Sequence, residues 1–281
     1  MIQDSSRPNS KCYMWVHCSG EFYRERPIVI YEYQKGRDHQ KPLSFYKDYK
    51  GILVTDGLQQ YHLVDKKLPR VTNANCWAHA GRDFADAVKA MDKNDPSAVR
   101  NSVAYVALQK IGEFYNADTE LKGLSPEERL QKRQETIQRL VEDFFAWVKE
   151  QISQCTVPPK SKTGQGLQYL IHQETYLKVF LTDGDVPIDN SASERSIRTF
   201  CIGKKNWMFH NTANGASASA MVYSISETAK LNDLRPYYYF RYILTELPKR
   251  SDENGNIDPS KLDDLMPWSS ALPDACRKLR R

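Results

Sequence analysis

Two acidic residues stand where metal-assisted chemistry would place them. Asp56 closes the short apolar run GILVTDG at 51–57, and Glu194 lies in DNSASERSIR at 189–198. Hard divalent cations such as Mg²⁺ take carboxylate oxygens and keep several waters for phosphate oxygens. Two such ions about 3.5–4 Å apart can stabilise both the attacking and the leaving oxygen of a phosphoryl displacement. That chemistry needs carboxylates from separate elements converging at one sheet edge. Each acid also has a plainer use: Asp-Gly is a turn-forming dipeptide, and Ser191-x-x-Glu194 has the spacing of a helix capping box.

Basic residues follow the second acid. Arg198 lies one helical turn beyond Glu194 and can orient its carboxylate or hold a phosphate. Arg195, Lys204 and Lys205 add positive charge, with Trp207 and Phe209 interleaved. Cations mixed with aromatics suit nucleic acid through phosphate contacts and base stacking. They equally suit a solvated charged face beside core aromatics. In CWAHAGRDF, Cys76 and His79 have half the ligands of a zinc site with no second pair at finger-like spacing, and bracing of a strand-to-helix junction accounts for them. A Cys/His dyad lacks a third member and an oxyanion loop. The tyrosines of PYYYFRY at 236–242 read as a packed helix face, with a tyrosine nucleophile as the minor alternative.

The totals bound the class. The chain has 281 residues, 40% hydrophobic and 27% charged, an ordinary globular mixture with enough apolar residues for one large or two medium domains. Mean hydropathy is -0.65, and no apolar run reaches the roughly 18 residues of a membrane span, so no membrane partner is expected. The opening MIQDSSRPNS has no basic stretch followed by an apolar core, so no signal peptide is expected. Six scattered cysteines without a CxxC pair read as reduced thiols in the cytosol. A net charge of +5 permits a polyanionic partner without demanding one.

The elements that must position these residues follow from patterning. YMWVHCS (13–19) and PIVIYEYQ (27–34) are aromatic and β-branched and read as a hairpin. PLSFYKDYKG reads as a short helix ending at Gly51. GILVTDG reads as a buried strand with Asp56 at its C-terminal end, and RVTNANC (70–76) as another strand before helical WAHAGRDFADAVKAM (77–91). Residues 97–156 are helical. Ser125, Pro126 and Glu128 spell a helix start, and Ile137, Leu140, Val141, Phe144, Val148 and Ile152 form one apolar face, expected against the helix of 97–117. Further helices are expected over about 165–182, from about Ser191, over 215–231 after a basic, aromatic turn, and over 235–248. The order gives an α/β chain with a mixed sheet. Neither GxGxxG nor GxxxxGK[ST] occurs, so no nucleotide cofactor is implied.

Six blocks in order carry a family likeness: SKCYMWVHCSG, FYKDYKGILVTDGLQQY, CWAHAGRDF, PKSKTGQGLQYL, GDVPIDNSASERSIRTFCIGKKNWMF and ASAMVYSISETAKLNDLRPYYYFRYILTELP. Together, over about residues 10–248, they resemble the catalytic region of the DDE transposases of insertion-sequence family 66. The resemblance implies an RNase H-like fold with a helical insertion before the last acid and with C-terminal helices. It also implies metal-dependent DNA strand cleavage and transfer, with Mg²⁺ or Mn²⁺ at a two-metal site. Asp56 then matches the second catalytic carboxylate and Glu194 the third, with Arg195, Arg198, Lys204, Lys205 and Trp207 on DNA. The family's usual NNxAER reads DNSASER here, with the Glu-Arg pair retained. Its first catalytic Asp lies in an ADET-like block on the first strand. MIQ resembles that strand's tail, so the Asp is expected upstream of Met1, and Asp4 is not expected to replace it. The mixed sheet would then lack most of its central first strand, exposing strand edges, and the chain alone is expected to be inactive or nearly so.

The expected partition is a β-rich part over 1–80, a helical insertion over 81–160, the remainder of the catalytic domain over 161–248, and a weakly ordered tail over 249–281. Expected partners are DNA, as element ends and target, and further copies of itself or a full-length transposase. A cytoplasmic, nucleoid-associated location in a bacterium goes with that. A second reading is a non-enzymatic fragment that binds DNA or inhibits a transposase through mixed oligomers. A glycosidase with paired carboxylates would show sugar platforms near both acids, and the basic ERSIR…GKKNW block argues against it.

Overall fold

In the computed structural model, residues 12–36, 40–92, 94–208 and 210–278 are described. MIQ, Asp4 and Phe209 lie outside the described residues. In chain order the elements are β1 (Tyr13–Cys18), β2 (Val29–Gln34), α1 (Gln40–Phe45), β3 (Gly51–Thr55), α2 (Gln59–Lys67), β4 (Val71–Asn75), α3 (Trp77–Ala80) and α4 (Arg82–Lys89). Then come α5 (Pro96–Arg100), α6 (Val103–Glu120) and α7 (Pro126–Lys132), which passes through a π-helical turn at Arg133–Ile137 into α8 (Gln138–Ser153). The chain continues with α9 (Lys162–Leu177), α10 (Ser191–Trp207), α11 (Ala213–Leu231) and α12 (Pro236–Glu246). No described helix is long and apolar enough to cross a membrane, and all six cysteines are free thiols.

The expected single mixed sheet is not what the described strands form. β1 and β2 pair antiparallel, from Tyr13 opposite Gln34 to Cys18 opposite Val29. β3 and β4 pair parallel, from Gly51 beside Val71 to Thr55 beside Asn75. These are two separate two-stranded sheets. They belong to different compact units, one built from Met1–Arg37 with Ser191–Arg281, the other from Asp38–Asn190. The partition therefore follows packing between distant segments, where the sequence reading followed chain order.

In the unit of Asp38–Asn190, Trp77 is the centre of the core. It is fully buried, its ring packs edge-on against Phe114 at 4.6 Å, and its indole nitrogen donates to the Leu177 carbonyl at 2.8 Å. The apolar face expected on the long helix is present: Ile137, Val141, Phe144 and Val148 are buried in the same core as Ala104, Ala107, Ile111 and Phe114 of α6. Ser125 and Glu128 make the reciprocal capping box. β3 is less buried than expected, with only Thr55 fully covered. The helix before it is only six residues long, ending at Phe45.

Two arginines that look like solvated helix positions are interior. Arg129 is 3% exposed and Arg133 is 0%. Arg133 donates to Asp118 at 2.7 Å and to the carbonyls of Phe180 (2.8 Å), Asp183 (3.1 Å) and Val186 (2.8 Å). Arg129 donates to the Gly184 and Leu124 carbonyls at 2.6 and 2.7 Å. Carbonyls of the segment after α9 face the interior, and buried carbonyls need donors. α7 and the π-helical turn supply them and so fix the segment that leads to Asn190.

In the other unit, α11 lies on the outer edge of β2. Thr228 Oγ1 accepts from Val29 N at 3.1 Å and donates to Val29 O at 3.0 Å, and Ser224 Oγ accepts from Tyr31 N at 2.8 Å. The small residues Ala216 and Ala220 are buried, which lets the helix come this close. The tail, expected to be weakly ordered, is packed instead. Leu265 and Leu272 share a core with Ala229, Leu234, Tyr239 and Ile243, the Tyr239 hydroxyl donates to Leu265 O at 2.8 Å, and Arg250 pairs with Asp264.

Candidate functional site

Asp56 follows the last residue of β3, at the C-terminal end of the parallel pair. Its Oδ1 accepts from Leu58 N at 3.1 Å, and Thr55 Oγ1 accepts from Gly57 N at 3.3 Å. The turn reading of Asp-Gly is thus correct for one carboxylate oxygen. Gly57 has φ +82°, a left-handed conformation that L side chains adopt only at a cost. The other oxygen of Asp56 makes no hydrogen bond among the described residues, which leaves it able to take a cation.

Behind this turn runs a buried polar row that sequence reading did not single out. Thr55 donates to Asn73 at 3.0 Å, Asn73 to Asn75 at 2.8 Å, and Asn75 to Gln173 of α9 at 2.9 Å. The two asparagines of VTNAN were the available signal, since asparagine is depleted in strands and needs partners when buried. His62 approaches Asn75 at 3.4 Å and stacks on Tyr176 at 4.3 Å. Burial holds its pKa below the ordinary histidine value.

Cys76 and His79 sit at the strand-to-helix junction: Cys76 precedes α3 and its backbone N–H donates to Thr55 O at 2.9 Å. The thiol is buried, which pushes its pKa up to about 11. Tyr115 donates to Asp189 at 3.3 Å and Trp77 N to Ile188 O at 3.2 Å, holding the segment that precedes α10.

In the second unit, Glu194 lies in the first turn of α10 and is exposed. That helix stands on the hairpin. Phe200 packs with Val29 and Tyr31, the Tyr31 hydroxyl donates to Ser196 O at 2.6 Å, and Cys18 Sγ lies 3.0 Å from Ser193 Oγ. Arg195, Arg198, Lys204 and Lys205 are all exposed. Arg195 is engaged by Glu21 at 3.6 Å. Arg198, Lys204 and Lys205 pair with no carboxylate among the described residues, and Arg198 does not brace Glu194. Lys204 and Lys205 occupy the last helical turn, where cations also complement the helix dipole. The basic aromatic segment is therefore helix, where a turn was expected. Trp207 is half-buried, edge-on to Phe200 at 5.3 Å and close to His210 at 4.2 Å.

Asp56 and Glu194 thus belong to different units. Among the described residues no group of three or more His, Cys, Asp or Glu side chains is gathered as a metal cage. The donor types present, one half-buried and one exposed carboxylate, are the oxygen ligands that Mg²⁺ and Mn²⁺ take alongside water and phosphate.

Comparison with known proteins gives the chain its relatives. It is 28% identical over 249 residues to uncharacterized protein y4hP of Sinorhizobium fredii (strain NBRC 101917 / NGR234), covering 86% of this chain and 44% of that protein. It is 26% identical over 283 residues to uncharacterized protein y4qI of the same organism, covering 98% and 49%. The chain spans about half the length of the curated relatives it matches. No solved structure matches. Residues 1–218 match the family described as Transposase IS66 family, and residues 224–268 match the IS66 C-terminal element. Two blocks that together span nearly all of the described fold place this chain in the IS66 transposase family.

Proposed function

We propose that the chain carries two of the catalytic carboxylates of a metal-dependent enzyme that cleaves DNA strands and transfers their ends. The observation that carries the reading is the family match over residues 1–218, which includes both acid blocks. Asp56 would hold a divalent cation through its unengaged oxygen while the turn fixes the other, and Glu194 would supply the second carboxylate. When bound, Mg²⁺ or Mn²⁺ supplies charge stabilisation to the attacking and leaving oxygens of in-line displacement.

The protein's own residues do the rest. The helical insertion, through Arg129 and Arg133, holds the segment ahead of α10 rigid, which matters because a misplacement of about 1 Å can cost around a hundredfold in rate. Arg198, Lys204 and Lys205 contact phosphates, and Arg195 contributes less because Glu21 engages it. Trp207 steadies the helix from beneath. An RNase H-like sheet is the architecture the reading implies.

The test is strand cleavage and transfer on DNA carrying the element's ends, with Mg²⁺ or Mn²⁺. It compares the 281 residues, the same chain extended upstream to include an ADET-like block, and Glu194→Gln in the extension. Transfer by the extension and its loss in the Glu194→Gln version support the proposal. Equal activity in that version makes the acid a helix-start residue. Salt-dependent DNA binding without metal-dependent cleavage in any version supports the non-enzymatic reading.

A further inference from the structure

One group beside Asp56 has no use within the fold. Tyr169 lies four residues before Gln173 on α9 and so shares its helix face. Gln173 completes the amide row with Asn75, whereas the Tyr169 hydroxyl oxygen is buried and has no hydrogen-bond partner. It lies against Gly57: a Cβ at that position would run into the hydroxyl first and the Asn75 amide next. A phenol hydroxyl is protonated at neutral pH, so it stands as a donor facing the turn that carries a candidate metal-binding carboxylate.

Burying a hydroxyl without a partner costs folding free energy, and native proteins keep few such groups. In sheets of parallel strands ligands collect beyond the carboxyl ends of the strands, which is where this hydroxyl sits. We infer that Tyr169 is a positioning residue of the Asp56 site, whose hydroxyl donates to an oxygen of the ligand held there. That oxygen carries negative charge and comes from one of two sources, a cation-bound water or a DNA phosphate. The inference rests on the reading of Asp56 as a metal-binding residue.

The experiment compares wild type, Tyr169→Phe and Asp56→Asn in the full chain by three readouts. These are the thermal midpoint without metal, Mn²⁺ affinity from water-proton relaxation, and Mn²⁺ affinity with a duplex of the element's end present. Tyr169→Phe should leave the midpoint unchanged or raise it, because it removes an unpaired buried group. It should weaken Mn²⁺ binding about tenfold, the usual scale for a residue that orients a metal's ligands. A loss seen with Mn²⁺ alone assigns the oxygen to water, and a loss seen only with the duplex assigns it to phosphate. A lowered midpoint makes the hydroxyl structural and overturns the inference. Unchanged affinity in both arms, with Asp56→Asn still weakening binding, overturns it too and leaves the reading of Asp56 intact. If Asp56→Asn changes nothing, that reading fails and takes the inference with it.

Discussion

Asp56 and Glu194 are fixed in opposite ways. Asp56 stands on a turn determined from within, with a left-handed glycine beside it and a buried row of hydroxyl and amide groups behind. Glu194 stands on the exposed face of a helix whose opposite face does the anchoring, through Phe200, Ser196 and Ser193. In the first region a change at Gly57 or within the buried polar row disturbs the backbone. In the second, the anchoring residues are separate from the exposed Lys204 and Lys205, so those lysines can be altered at little cost to the fold.

The strongest challenge to that contrast is the buried arginine node in the unit of Asp56. Arg133→Ala leaves Asp118 and three carbonyls without their donor, and breaking a buried ion pair costs about 3–5 kcal/mol. Urea unfolding should show that loss, and a loss below about 1 kcal/mol would mean Arg133 does not hold the segment after α9. Next in size is Gly57→Ala. The positive φ alone costs about 1–2 kcal/mol, and the Tyr169 hydroxyl occupies the space, so a loss of about 2 kcal/mol is expected. The double change with Tyr169→Phe should recover part of it. An additive result would show that the turn is strained for another reason.

On the α10 side, replacing both Lys204 and Lys205 by Ala should shift stability by no more than about 0.5 kcal/mol. The same change should lower the salt dependence of DNA binding by about two phosphate contacts. A drop of more than about 1 kcal/mol in stability would make these lysines part of the anchor and remove the contrast. The smallest effect is on pH. Each unit has a histidine with a lowered pKa: His17, by burial against the opposing pull of Glu32, and His62, by burial. The unfolded chain binds these protons more readily, so stability is full above about pH 6.5 and falls as pH drops below that unfolded value. A stability curve flat from pH 7 to 5 would contradict both.

What the sequence made legible was local. The β1–β2 hairpin, β3 ending just before Asp56, and the capped helix with its apolar face are set by alternation, helical spacing and turn residues, all within a few residues of each other. α2 was not legible, because QQYHLVDKK buries only Val64 and lacks a side-chain cap. Arg129 and Arg133 were misleading, since a charged run in a helix ordinarily means a solvated face. Tyr169 could not be seen at all, because its meaning comes from Gly57, more than a hundred residues earlier. The grouping of the N-terminal hairpin with the C-terminal helices was invisible for the same reason.

The contact of α11 with β2 works as a ruler. Ser224 and Thr228 are four helical residues apart, a rise of about 6 Å, and Val29 and Tyr31 are two strand residues apart, about 6.7 Å. The two periodicities nearly coincide over this one repeat, so two hydroxyls meet two backbone amides. They drift apart over longer stretches, so the match cannot be moved along either element. A single residue inserted within Val29–Tyr31 or Ser224–Thr228 puts helix and strand out of phase and strands a buried amide. The pairing that closes the edge also fixes the length of chain allowed there, and homologous chains should differ by insertions outside these two intervals and not within them.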